Sequence, residues 1–183
     1  ATDAVFGVTI PSAGRKLREL CNAAAFTEEH ILHFYFLAGP DFVMGPGAPY
    51  AERNVIGIAK ANPELGKMVV HNRHNGAKIL NIVSGKSIHP VTAVPGGFSK
   101  PMTESERKRL IPMAEEILDF AKWSIAFAKE NLFSKYLDAV KTIGVINTGF
   151  LGTVTDKGEL NCYDGKLRLM KPDGNYDEFT YDK

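Results

Sequence analysis

Residues 71–100 read HNRHNGAKILNIVSGKSIHPVTAVPGGFSK, and the fold turns on this stretch. Its first half keeps helical spacing through Gly76, Ile79, Leu80 and Val83, with the apolar stripe interrupted from His71 to Asn75. Ser84-Gly85 ends that helix, because glycine readily takes the left-handed conformation that closes one. From Lys86 to Lys100 no helical period survives. Pro90, Pro95 and Gly96-Gly97 impose an extended, turned backbone around a single histidine, His89. Lys86 and His89 are therefore the candidate functional side chains, and Gly85, Pro90, Pro95, Gly96 and Gly97 shape the loop that carries them. The competing reading is plain loop architecture.

Upstream, Asn62-Pro63-Glu64 supplies an N-cap, a proline for the first turn and an acid facing the helix dipole. A shorter helical piece is expected over 54–61, after the Pro- and Gly-rich loop PDFVMGPGAPYAE at 40–52. Before it, Pro11-Ser12 opens a long helix through Leu17, Leu20, Cys21, Ala24, Ile31 and Tyr35, with Gly39-Pro40 as its stop. Such a helix spans roughly 40 Å at about 1.5 Å per residue. Its second half, HILHFYFLAGPDF, is apolar nearly all round, which calls for burial on every side or a covering partner.

Downstream, Thr103-Glu104-Ser105-Glu106 is a capping box for a third long helix with Leu110, Ala114, Ile117, Leu118, Ala121, Ile125 and Ala128 on one stripe. Pro112 lies inside it and should kink or divide it. Further turns reach Val140. From Ile143, Asp156-Lys157-Gly158, Asp164-Gly165 and Pro172-Asp173-Gly174 punctuate short Val-, Leu- and Tyr-rich runs, the pattern of an antiparallel meander. The expected class is α+β, with a mainly helical part over 1–142 and a β-meander over 143–183. The strand-like YDEFTYDK leaves an uncovered edge, and the chain opens on ATDAVFG without methionine. Both features suggest a fragment of a larger protein.

Lys and Arg total 22 against 21 acidic residues, a formal charge of +1, which argues against nucleic acid or an anionic membrane as partner. Arg107-Lys108-Arg109 sits among glutamates and reads as a solvated helix face. No apolar run approaches the roughly 20 residues of a membrane span. Cys21 and Cys162 form neither a disulfide framework nor a Cys-x-x-Cys site, so the reducing cytoplasm is the default compartment. His30/His33 and His71/His74 are helical pairs that could hold a metal, although packed or surface histidines are the simpler reading. Asp41 reads as a loop-capping group. No phosphate loop and no nucleophile set can be argued from spacing. The residues alone give a helical protein with a meander and one constrained polar loop.

GKSIHPVTAVPGGFSK also resembles the GGK-x-x-HP…PGG segment of [NiFe]-hydrogenase large subunits. HILHFYFLAGPDF is similar to that family's H-x-LHFY-x-LA-x-DF helix, and AVFGVTIPSAGRKLREL resembles the sequence just after its first Cys-x-x-Cys. GELNCYDGKLRLMKPDGNYDEF is similar to the meander of the cytosolic, coenzyme-linked or methyl-viologen-reducing branch. The resemblance runs the length of the chain.

It implies a parent oxidoreductase that splits hydrogen at a nickel–iron centre with cyanide and carbon monoxide ligands. Electrons would leave through iron–sulfur clusters in a small partner subunit. The four metal-binding cysteines have no counterpart here, so the resemblance implies an inactive, metal-free central piece. That piece would contact the rest of the large subunit, would also meet the small one, and would be prone to self-association. His89 matches the family's GK-x-x-HP histidine and is implied to face the nearest cluster, with Lys86 and Gly96-Gly97 at the same interface. Ser84 replaces a common glycine, and Phe36 stands where the respiratory branch often has histidine. The alternatives are the 49-kDa-type quinone-reducing subunit of respiratory complex I and a stand-alone helical metal-binding or interaction module.

Overall fold

The computed structural model describes residues 2–179. They form two compact units, Ala1–Lys135 and Tyr136–Lys183. The first unit contains α1 (Thr2–Phe6), α2 (Ser12–Leu32), a π-helical turn (His33–Ala38) and α3 (Gly39–Val43). A short 3-10 turn at Tyr50–Glu52 leads to α4 (Val55–Ala61) and α5 (Pro63–Ser84). A two-stranded hairpin, β1 (Ala93–Val94) and β2 (Gly97–Phe98), precedes α6 (Glu104–Ala128) and a second π-helical turn (Lys129–Phe133).

The caps form as the local sequence dictates. The Asn62 side chain accepts from the Leu65 amide at 3.1 Å, and Asn54 accepts from Ile56 and Gly57. Thr103 and Glu106 close a reciprocal capping box at the start of α6.

Helix α5 is the centre of the unit, packed against both α2 and α6. Its C-terminal half joins Ala24, Leu110 and Ile117 through Ile79, Leu80 and Val83. Its N-terminal half joins Ile31, Tyr35, Ile58 and Phe120 through Leu65 and Val69. Between these cores lies the polar interruption visible in the sequence, with Asn72 and Asn75 both buried. Asn75 Nδ2 donates to Glu116 at 2.6 Å, and His71 Nε2 meets the same oxygen at 2.8 Å. The interruption is thus a polar layer that ties α5 to α6.

Three expectations need correction. Gly39-Pro40 does not stop the helical run: α2 widens into the π turn and α3 continues through Pro40 to Val43. The Gly39 amide donates to the Phe34 carbonyl, and a β-carbon at Gly39 would lie 2.0 Å from that oxygen. Glycine here permits the wide turn, and the proline falls in the first turn of α3. Pro112 does not divide α6, which runs unbroken from Glu104 to Ala128. The run over 30–42 is not buried all round: Ile31 and Tyr35 are buried, whereas Leu37 and Phe42 are exposed.

Helix α7 (Ser134–Thr142) crosses the division between the units, and the second unit then carries β3 (Phe150–Val154), β4 (Lys166–Met170) and β5 (Tyr176–Phe179). They pair antiparallel in the order β3-β4-β5, the expected meander. Asp173-Gly174 makes the tight β4–β5 turn, with Lys171 donating to Asn175 at 2.7 Å. Arg168 and Glu178, directly opposite in the register, form an ion pair, and Arg168 lies over the Tyr176 ring. The last four residues of YDEFTYDK lie outside the described residues.

Candidate functional site

The end of α5 shows how the His89 loop is held. Gly85 takes φ +77° and its amide donates to Asn81. Ser84 is fully buried, its Oγ lying 2.7 Å from the Leu80 carbonyl and 2.8 Å from the Lys86 carbonyl. Its single proton serves one of these acceptors at a time. Val91 N–H returns to the Ser84 carbonyl at 3.1 Å, and the buried Thr92 hydroxyl donates to Val83 at 3.3 Å. The loop is thereby closed back onto the helix that delivers it.

His89 sits at φ +55°, the one non-glycine residue with positive φ among those described. A left-handed non-glycine costs about 1–2 kcal/mol, which the closing hydrogen bonds must sustain. Its side chain and that of Lys86 are exposed, together with Ile88, Pro90 and Val91. Backbone anchoring inside and side chains outside is the arrangement of a presenting loop.

The hairpin beyond the loop is clamped from α2. Pro95-Gly96 makes the turn, with Gly96 at φ +78°. Arg18 donates to the Val94 carbonyl at 2.6 Å and to the Gly97 carbonyl at 2.9 Å through Nη2. Its Nη1 donates to Asp3 at 2.6 Å, and Asp3 Oδ1 accepts the Gly96 amide at 2.7 Å. The Arg18 guanidinium first, then the Gly96 amide, hold the Asp3 carboxyl at about 2, below the usual carboxylate range. Gly14 allows the close approach, since a β-carbon there would meet the Gly97 Cα at 3.4 Å.

On the far side, Lys100 Nζ donates to the Ile82 carbonyl at 2.9 Å and to Glu106, so it joins the end of α5 to the cap of α6. That bond, ahead of those from Thr103, holds the Glu106 carboxyl at about 2.

A cleft of about 330 Å³ adjoins the loop, lined by Glu28, Phe36, Arg73, His74, Ser87 and Ile88. Arg73 pairs with Glu28 at 2.7 Å and lies over the Phe36 ring. The histidine pairs do not converge. His30 bonds the Phe26 carbonyl and stacks on the Phe26 ring, while His71 turns to Glu116 and His74 lines the cleft. The His71 and Asn75 bonds keep the Glu116 carboxyl below its usual range. Among the described residues no group of three or more His, Cys, Asp or Glu side chains could hold a metal ion. Asp41, read as a capping group, accepts from Arg53 at 3.0 Å.

Arg18, Asp3 and Lys100 escaped sequence reasoning. Their partners are backbone groups up to 93 residues away, and a basic residue in KLREL carries no signal of that. Only Glu106 was visible, through its capping box.

No protein-family profile matches the chain. It is 45% identical over 174 residues to the vhu-type F420-non-reducing hydrogenase of Methanocaldococcus jannaschii, a match covering 95% of this chain and 41% of that protein. The chain belongs to the [NiFe]-hydrogenase large-subunit family. A solved NAD+-reducing [NiFe]-hydrogenase in the H2-reduced state superposes with a TM-score of 0.90 at 32% identity, over 96% of this chain and 39% of that one. The Ni-Fe-Se hydrogenase of D. vulgaris Hildenborough shares the fold, with a TM-score of 0.77 at 22% identity over 98% of this chain and 39% of its own. The chain therefore spans about two fifths of the length of the hydrogenases it matches.

Within this family the two departures noted in the sequence acquire structural reasons. Ser84 uses its hydroxyl to fasten the loop, and Phe36 provides the face on which Arg73 rests.

Proposed function

We propose that the whole protein is a cytoplasmic oxidoreductase of the coenzyme-linked or viologen-reducing kind, catalysing reversible hydrogen oxidation. In this reading the Lys86–Lys100 loop stands against an iron–sulfur partner subunit, with His89 beside its nearest cluster. The observation that carries it is His89 itself: a strained backbone, anchored by buried hydrogen bonds, that places its side chain in the open. An imidazole N–H reaching a cluster sulfur stabilises the reduced cluster, and the exposed Lys86 ammonium adds positive potential on the same side. Gly85, Pro90, Pro95, Gly96 and Gly97 fix the backbone that presents both.

The family's centre contains nickel and iron, the iron carrying cyanide and carbon monoxide. The described residues do not fit it. Thiolates are the donors such a centre requires, and Cys21 is half-buried in the core beside Ser84, its thiol pushed up by burial. Cys162 belongs to the other unit. The centre and the cleavage of hydrogen therefore lie with other parts of the large subunit, and this chain alone turns over no hydrogen. No helix among the described residues is long and apolar enough to cross a membrane.

The test is His89→Ala in the complete enzyme, with the potential of the nearest cluster followed by EPR-monitored titration. Loss of the donor should lower that potential. An unchanged potential would sink the reading of His89.

A further inference from the structure

We propose that Arg18, locked by Asp3, is a positioning residue that sets where the His89 loop stands. This rests on the reading of His89 given above. Three of its guanidinium contacts fall on one hairpin: Nη2 reaches the Val94 and Gly97 carbonyls, and Nε also lies 3.2 Å from the Gly97 carbonyl. The fourth partner, Asp3, closes the circuit by accepting from both Arg18 and the Gly96 amide. Arg18 and Asp3 side chains are only 17% and 23% exposed, so this is an enclosed, charge-assisted lock rather than a surface ion pair.

The geometry gives it a purpose beyond local packing. The loop from Lys86 to Thr92 is fixed at its start by Ser84, and its exit continues directly into β1. Thr92 also accepts from Ser99 at 2.7 Å, which joins the loop exit to the second arm of the hairpin. Whatever orients the hairpin against α2 therefore orients the exit from His89. A planar guanidinium with a fork of fixed donors can hold two carbonyls and a carboxylate at set angles. A lysine supplies the charge without that geometry. Asp3 fixes the remaining face of the guanidinium, so the arginine cannot swing away from the turn.

The complete enzyme tests this with Arg18→Met, Arg18→Lys and, as a reference, His89→Gln. Hydrogen exchange should quicken roughly ten-fold or more at Gly96 and across 86–98 in Arg18→Met, as expected when local opening no longer breaks charge-assisted bonds. Arg18→Lys should fall between. EPR titration should then show the nearest cluster's potential moving in the same sense as in His89→Gln. Unchanged exchange overturns the lock. Faster exchange with an unmoved potential, while His89→Gln shifts it, makes Arg18 merely structural and overturns the positioning role alone. An unmoved potential in His89→Gln overturns the reading of His89 and the positioning role with it. If Arg18→Met fails to assemble, Arg18→Lys and Asp3→Asn carry the same two measurements.

Discussion

Replacing Ser84 isolates the fastening of the loop. Its hydroxyl is fully buried and contacts the Leu80 and Lys86 carbonyls. The Leu80 carbonyl also serves the helix, so the group left short in Ser84→Ala is chiefly the Lys86 carbonyl. Loss of one buried hydrogen bond costs about 1 kcal/mol, rising to roughly 2 if the carbonyl finds no water. Alanine's better helix propensity returns about 0.5 kcal/mol. Ser84→Ala should therefore destabilise by about 1 kcal/mol. Ser84→Gly, the residue common elsewhere in the family, should cost about 1 kcal/mol more, because glycine raises the entropy of the unfolded helix. Urea denaturation of the chain checks both numbers, with hydrogen exchange at Val91 reporting the loop closure. The Cys21 thiol gives an independent reading, since burial raises it and the Ser84 hydroxyl lowers it. Without the hydroxyl the thiol should move further up and react more slowly with a disulfide reagent. A Ser84→Ala midpoint equal to the parent's, with unchanged Val91 exchange, would refute the reasoning.

Gly39→Ala should be among the most damaging single-methyl additions, by more than about 2 kcal/mol, because its β-carbon would lie 2.0 Å from the Phe34 carbonyl. Thermal denaturation against Gly47→Ala, where nothing lies within 4 Å, provides the contrast. Asp3 has its folded value depressed to about 2, so its contribution is present above the unfolded carboxylate value of about 3.9 and is lost as pH falls from there toward 2. Asp3→Asn should flatten the acid limb of the stability curve in that window, and an unaltered limb would contradict the pairing with Arg18. The groove lined by Phe26, Ile31, Phe34, Phe120 and Ile125 should drive self-association of the isolated chain. Sedimentation should show concentration-dependent mass, and Ile125→Glu should reduce it; a strictly monomeric chain would count against a partner-covered face.

What the sequence displayed was whatever acts over a few residues. Asn62, Thr103 with Glu106, and Gly85 declared helix ends because a cap needs only its own neighbours. Asp173-Gly174 declared a turn for the same reason. Gly39-Pro40 misled because the same two residues end an α-helix or accommodate a π turn, and the choice depends on the Phe34 carbonyl that Gly39 admits. Pro112 misled because packing of Leu110, Ile117 and Phe120 into the cores holds α6 together across a missing hydrogen bond. At the site, Gly and Pro marked the loop, yet nothing marked Arg18, whose role depends on folding residues 3, 18 and 97 together.

The arrangement of costs around His89 separates a presenting loop from a merely tight one. The strain at φ +55° amounts to about 1–2 kcal/mol, and a glycine at that position would remove it. Against it stand the Ser84, Val91 and Thr92 hydrogen bonds, each worth about 1 kcal/mol, and the Arg18 clamp one strand further on. Together they exceed the strain, so the loop closes with histidine in place. Those bonds come from the residues on either side, while the imidazole stands exposed, outside the ring that holds its backbone. Stability alone gives no reason to keep a histidine there. The anchoring residues are buried and the strained one is exposed, so the strain is maintained for a contact that the His89 side chain makes beyond this loop.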